Sequence, residues 1–404
     1  MQPHERLVIF LLAAINFTHI LDFMIMMPLG NYLMPYYDIS PAQFSLLVGS
    51  YTLTAAGSGF VAAFFVDQYD RKKFLIYAFV GFLVGTIACG LAPSYELLMT
   101  ARIVAGLFGG LIGSQVLAII SDVFGYERRG AAMGAVMSSF AIASILGVPF
   151  ALYLANAFSW HAPFLLVGIL GLGLLPLLHR YIPEMKDHVD PDNSTSKLKI
   201  IQEVIRSRRQ VAALVFSGLI MMGHFLIIPF VNPFLEFNLG FSKSLTPTVY
   251  LVGGLAAFVA SFVLGRISDQ RGKLKIFTYS VIACVIMVAV ITNLHDVSFP
   301  VVLVFFGIWF AVATGRAVTA QAMLSNIPAP AQRGSFMSFN SSVQQLGTSG
   351  ASFLSGILVV KSANGKLVGY DWVGYVSIVI LILSLIMGRR IFGGMDRNER
   401  QLTI

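Results

Sequence analysis

Three ionisable side chains stand in stretches of sequence too apolar to suit them: Asp22 between Leu7 and Met34, Arg102 between 95 and 123, and Arg316 between 298 and 326. An ionised group in the middle of a membrane-spanning helix costs roughly 2.5–3.5 kcal/mol on insertion scales, so it faces a bundle interior or a cavity. His19, Asp22 and Met26 fall at i, i+3 and i+7 on one helical face, and Asn16 extends that face by another three residues. Burial raises a carboxyl pKa, while a nearby cation lowers it. A carboxyl held between these effects loads a proton from one side and releases it to the other. Asp22 is therefore a candidate proton carrier tuned by His19 or Arg102. The alternative is a permanent structural ion pair with Arg102.

Other polar residues in apolar stretches are candidates for contact with a solute: Asn16, Met26, Ser138, His224, Asn232, Gln344 and Gln345. Asn340, Ser341, Gln344, Gln345 and Thr348 make one polar face. Gln344 and Gln345 are costly to place against lipid. Ser and Thr elsewhere serve helix packing equally well. His224 mirrors His19, but the position matching Asp22 is Ile227, so a buried hydrogen-bonded histidine is expected there. Arg316 divides between a bond to backbone carbonyls or a loop acid and a contact with a solute. Cys89 and Cys284 read as small packing residues, with no metal-ligand spacing and no disulfide framework.

The elements that must position these groups are membrane spans. Apolar residues make up 57% of the 404 and charged residues 11%, against roughly 25% charged in soluble domains. A globule in water could not hide that much apolar surface. Spans of about 20 apolar residues are expected at 7–34, 42–66, 74–92, 95–123, 130–157, 160–182, 210–237, 244–268, 275–295, 298–326, 334–360 and 369–393. The first run is too long for a cleavable signal and contains Asp22 and Pro28. The predicted class is an all-α polytopic membrane protein of twelve helices. A six-helix bundle occupies 1–182, a linker 183–209, and a second bundle with a short tail 210–404.

The net charge of +8 follows topology rather than nucleic-acid binding. With the N-terminus in the cytoplasm, the outer loops hold only Lys243, Lys361 and Lys366, while most other basic residues fall inside, including those of the linker. Both termini are then cytoplasmic.

The chain also repeats. His19 and His224 are 205 residues apart, as are Pro28 and Pro233; Asp67 and Asp269 are 202 apart, and Arg129 and Arg333 are 204 apart. An even number of spans per repeat makes the halves parallel. Two such halves around a midplane site rock in alternating access.

The loop after the second span reads Asp67-Gln-Tyr-Asp70-Arg71-Lys72-Lys73, and its counterpart reads Gly265-Arg-Ile-Ser-Asp269-Gln-Arg271-Gly272-Lys273. Both resemble the Gly-x-x-x-Asp-x-x-Gly-Arg-Arg signature of the major facilitator superfamily, although Ala63 and Asp70 replace the glycines of the first copy. The stretch Leu21 to Gly30, the run Arg333 to Gln345, Gly147-Val-Pro149 and Arg102-x-x-x-Gly106-x-x-Gly109-Gly110 are similar to its drug:proton antiporter branch, in particular to bacterial arabinose-efflux-permease-like proteins. The resemblance implies a gating role for Asp67, Arg71, Asp269 and Lys273. It also implies a bacterial inner-membrane location and a monomer. Gly147 and Pro149 are expected to bend the fifth span. One departure stands out: the antiporter motif of that span carries adjacent Gly-Pro and a Gly pair, and Ser144 to Ala151 lacks both.

The expected function is export of a small organic solute (drug, sugar or metabolite) in exchange for protons. The expected partners are that solute, protons and the lipid bilayer, with no cofactor, metal or nucleic acid. A proton-coupled symporter or a uniporter is the alternative. A membrane receptor or enzyme is disfavoured, because no phosphate loop, nucleophile elbow or His-rich metal motif is present.

Overall fold

A computed structural model describes residues 3–65, 69–124, 126–185, 206–328 and 333–394. The chain divides into two compact units. One comprises Met1–Ile39 with Leu46–Leu198, and the other Ser40–Ser45 with Lys199–Ile404.

Unit 1 begins with α1 (Pro3–Met26), a 3-10 turn (Met27–Leu29) and α2 (Gly30–Tyr37), which together form the first span. The helix tightens at Pro28, which lacks the N–H needed to continue the ladder. The second to fourth spans are α3 (Pro41–Phe65), α4 (Arg71–Leu91) and α5 (Tyr95–Val123). The fifth is broken into α6 (Tyr126–Ile142), a π-helical turn (Ala143–Gly147) and α7 (Val148–Ala157), with Pro149 in the first turn of α7. The π-helical turn ends at Gly147, and Pro149 follows it in α7. The sixth span is α8 (His161–Tyr181).

Unit 2 follows the same plan. Its first span is α9 (Arg208–Phe225), then a 3-10 turn (Ile228–Phe230), a short helix (Val231–Pro233) and a π turn (Phe234–Asn238). The remaining spans are α10 (Thr246–Arg271), α11 (Lys273–Ile291), α12 (Phe299–Leu324), α13 (Arg333–Leu358) and α14 (Tyr370–Phe392). Between α13 and α14, β1 (Val360–Lys361) and β2 (Leu367–Val368) pair antiparallel. Asn238 holds this hairpin with two bonds. Its Nδ2 donates to the Leu367 carbonyl (2.7 Å), and its Oδ1 accepts from the Leu367 N–H (2.9 Å).

Among the described residues, 11 helical stretches are long and apolar enough to cross a bilayer. Helix α13, 26 residues long, is the eleventh span in order and completes the twelve. Its apolarity falls short because Asn340, Gln344, Gln345, Thr348, Ser352 and Ser355 lie on it. The protein is an all-α, twelve-span membrane protein of two pseudo-symmetric six-helix bundles. Large apolar side chains along the spans, such as Val84, Ile169 and Val259, are more than half exposed, as lipid-facing positions are.

The internal packing repeats as well. In unit 1, α1 packs on α6 and α8, and α4 packs on α5 and α8. In unit 2, α9 packs on α13 and α14, and α11 packs on α12 and α14. Each pair recurs six spans later.

The repeat register differs from the one expected by spacing. The 3-10 turns align Pro28 with Pro229, and both are followed by a fully buried asparagine, Asn31 and Asn232. Pro28 therefore corresponds to Pro229 and not to Pro233. The counterpart of Asp22 becomes Gly223 rather than Ile227. Where α9 tightens, the Ile227 N–H bonds the His224 carbonyl, and the Gly223 carbonyl is taken up by the Ser377 hydroxyl of α14. Ile227 O in turn accepts from the Tyr370 hydroxyl (3.2 Å). Broken helices persist inside a membrane only where neighbours satisfy the freed carbonyls in this way.

Candidate functional site

The most polar buried cluster of unit 1 gathers around Asp22. Arg102, two turns into α5, donates through Nη1 to Asp22 Oδ2 at 2.9 Å, and neither side chain has any exposed surface. The guanidinium lies 4.3 Å from the centre of the Tyr51 ring in α3, a cation–π contact. Phe23 stacks on the same ring. From α4, Thr86 lies near the carboxylate and Cys89 near the guanidinium, and the Thr86 hydroxyl makes no hydrogen bond among the described residues. The His19 ring lies beside Tyr51 and Phe82, at centroid distances of 6.4 and 5.9 Å. Four spans thus converge on one carboxylate. Among the described residues, Asp22 Oδ1, Arg102 Nε and Nη2 and the Tyr51 hydroxyl have no hydrogen-bond partner.

Glycines of α5 permit the convergence. A Cβ at Gly106 would strike the backbone of Tyr51, and one at Gly109 would lie 2.5 Å from the Tyr51 hydroxyl and 3.2 Å from the His19 ring. Small residues let the helix axes approach, as is usual in membrane bundles.

The π turn of the fifth span lies against the same part of α1. A Cβ at Gly147 would come within 2.8 Å of Leu21, and the Ser144 hydroxyl contacts Met24 Sδ at 3.8 Å. Asn16 and Ser139 join α1 to α6. Asn16 Nδ2 donates to the Val136 carbonyl (3.4 Å), and Ser139 Oγ donates to the Ala13 carbonyl (2.8 Å). Met26 is fully buried at the end of α1. Ser138 is exposed and donates back to its own helix at Ala135.

In unit 2, Gln344 Nε2 donates to Ser217 Oγ (2.9 Å), joining α13 to α9, while Gln345 is half-buried. Asn232 is fully buried beside the 3-10 turn. His224 packs on Trp309 and Phe225, with ring centroids 5.1 and 5.3 Å away. Among the described residues its Nδ1 has no hydrogen-bond partner.

Of the loop residues, Asp67 lies outside the described residues. Arg71 bonds Asp122 at the far end of α5. Asp70, noted above only as a departure from the signature, is buried and caps α4. It accepts from the N–H groups of Lys73 and Met185, both at 2.9 Å. Asp269 and Lys273 approach to 3.6 Å across the turn between α10 and α11, with the carboxylate largely exposed. Gly272 between them has φ +102°, a conformation that only glycine adopts without strain. Tyr51, Thr86 and Asp122 were not legible as site residues. Nothing in one sequence distinguishes these from the other tyrosines, threonines and loop acids.

The family model of the Major Facilitator Superfamily matches residues 12–352. The MFS-type transporter YceJ of Bacillus subtilis (strain 168) is 25% identical over 93% of this chain and 94% of its own. AraJ of Escherichia coli (strain K12) is 23% identical over 57% of each chain. Among solved structures, an inward-facing bacterial homologue of the human lysosomal transporter Spinster superposes with a TM-score of 0.76 at 16% identity, covering 99% of both chains. A D-xylose–proton symporter superposes at 0.75 and 16%, covering 95% of this chain and 97% of that one. At such identities the structural likeness speaks for the fold alone. The family match, spanning most of the chain, speaks for descent: this chain belongs to the Major Facilitator Superfamily and is a multi-pass membrane transporter.

Proposed function

We propose that the protein exports a small organic solute by alternating access in exchange for protons, with Asp22 as the proton carrier and Arg102 as its charge partner. The observation that carries this reading is the Asp22–Arg102 pair, sealed from solvent at 2.9 Å. Each charge is compensated by the other. A proton arriving on Asp22 cancels one and strands the other, and an uncompensated buried charge costs several kcal/mol. Protonation is thereby tied to a change in how α1 meets α5. The π turn beside Leu21 supports such a change, since it is a soft point in the fifth span. His19 belongs to the same cluster.

In this proposal Asn16, Met26, Ser138, His224, Asn232, Gln344 and Gln345 contact the solute. Asp67, Arg71, Asp269, Lys273, Gly147 and Pro149 serve gating. The chain is a monomer in a bacterial inner membrane, with both termini cytoplasmic.

The departure of Ser144 to Ala151 from the antiporter motif favours a second reading, proton-coupled uptake through the same pair. One experiment separates the two. A thermal-shift screen over drugs, sugars and amphiphiles selects a solute that stabilises the purified protein. Its addition to weakly buffered protein in detergent is expected to release protons, and Asp22→Asn is expected to abolish the release. Proton uptake on binding supports symport instead. A pH-independent response identical in Asp22→Asn defeats both readings.

A further inference from the structure

Unit 2 holds a buried arginine of a different kind. Arg316 is 3% exposed, and among the described residues its Nε has no hydrogen-bond partner. Among the described residues no carboxylate pairs with it. Lys243–Glu236 and Lys273–Asp269 are ion pairs of this unit, and both lie at span ends. Among the described residues, His224 of α9 and Cys284 of α11 lie within electrostatic reach of the guanidinium. An imidazole is never an anion here, and an ordinary thiol is neutral at pH 7. Trp309, Ala313, Arg316 and Ala320 recur at i, i+4, i+7 and i+11, making one buried face of α12. Trp309 on that face packs on His224.

A guanidinium is always charged and carries five donors in a planar fork. Burying one without a counter-charge is strongly disfavoured unless an anion completes it. Arg102 shows the completed arrangement within unit 1, and Arg316 lacks its equivalent. We infer that Arg316 is a binding site for the carboxylate of a small organic acid, with Trp309 and His224 beside the acid's organic part. The fork matches a planar carboxylate in two-point contact. A single cation suits a monoanion better than a phosphate dianion: the other described basic residues of α10 and α11, Arg266, Arg271, Lys273 and Lys275, sit at the helix ends. The inference rests on the transport reading in taking the occupant to be the transported solute.

Trp309 provides the readout. In a Trp160→Phe/Trp372→Phe protein it is the one remaining tryptophan. Benzoate and gluconate are titrated in detergent against their neutral partners, benzamide and glucose. A saturable change in Trp309 fluorescence is expected with at least one carboxylate and with neither neutral partner. Arg316→Gln is expected to weaken it about tenfold to a hundredfold, the scale of hydrogen bonds to a charged group, and Arg316→Lys is expected to weaken it less. Equal binding of the neutral partner, unchanged binding in Arg316→Gln, or no response to any carboxylate overturns the proposal.

A second measurement needs no ligand. Cys284→Asp supplies a carboxylate near the guanidinium, so it should melt at a higher temperature than Cys284→Asn and block the fluorescence response. The reverse order of melting temperatures overturns the unpaired-cation argument. None of these readouts involves proton movement. Loss of proton release with the Trp309 titration intact therefore counts against the coupling alone, and loss of the titration with proton release intact counts against this site alone.

Discussion

Arg102 of α5 and Asp22 of α1 meet at 2.9 Å with no exposed surface on either side chain, so among the described residues each is the other's full counter-charge. Such a pair adds little net stability over apolar packing, yet breaking it from one side is costly. Asp22→Asn and Arg102→Gln are each expected to destabilise the protein by about 3–5 kcal/mol. The double variant should recover a large part of that loss. Thermal unfolding in detergent measures all three, and a double variant as unstable as the sum of the singles would remove the pair from the account.

The contact of α5 with α3 gives a contrast between two glycines one turn apart. A Cβ at Gly110 would collide with the backbone of Ala55 and with Ser58, whereas one at Gly113 would meet nothing within 4 Å. Gly110→Ala should therefore destabilise by about 1–3 kcal/mol through overpacking. Gly113→Ala should be neutral or stabilising by up to about 1 kcal/mol, from helix propensity. Equal melting temperatures for the two variants would contradict the packing described here.

Asp70 stands where the family signature has glycine, and it is an N-cap. Asp70→Ala is expected to cost about 1 kcal/mol, since it removes the acceptor for the N–H groups of Lys73 and Met185. Asp70→Asn keeps an oxygen acceptor and should cost much less. The difference in melting temperature between the two variants reads the cap directly. A charge-only role predicts instead that Asn is as damaging as Ala.

Two serine hydroxyls cross between helices under different circumstances. Ser139 bonds the carbonyl of Ala13 inside α1, while Ser377 bonds that of Gly223, which the tightening of α9 has freed. Ser139→Ala is expected to cost about 0.6 kcal/mol, the average for such bonds in membranes. Ser377→Ala leaves a buried carbonyl unsatisfied and should cost about 1–3 kcal/mol. Unfolding of the two variants in mixed micelles checks the order.

Much of the architecture was legible in the chain itself. Apolar runs fix where a helix can cross lipid, because an unbonded peptide group has no water there to bond. The placement of Lys and Arg motivated a topology by the same reasoning. The spacing of landmarks indicated that the halves repeat. The exact register was not legible: spacing paired Pro28 with Pro233, and only the backbone turns showed Pro229 to be its counterpart.

The candidate site divides in the same way. Asp22 and Arg102 announced themselves, since charge in an apolar run is expensive enough to demand a reason. Which groups surround them was decided in three dimensions. Tyr51 and Thr86 are ordinary residues of other spans, brought to the carboxylate by glycine contacts that depend on axis distances and rotation. Arg316 illustrates the remainder. The sequence placed a cation within a span, but only the packing of α9, α11 and α12 showed that no described acid reaches it. Helix crossing is dictated locally by the solvent. The partner of a buried charge depends on which faces the helices turn toward each other, a property of the whole bundle.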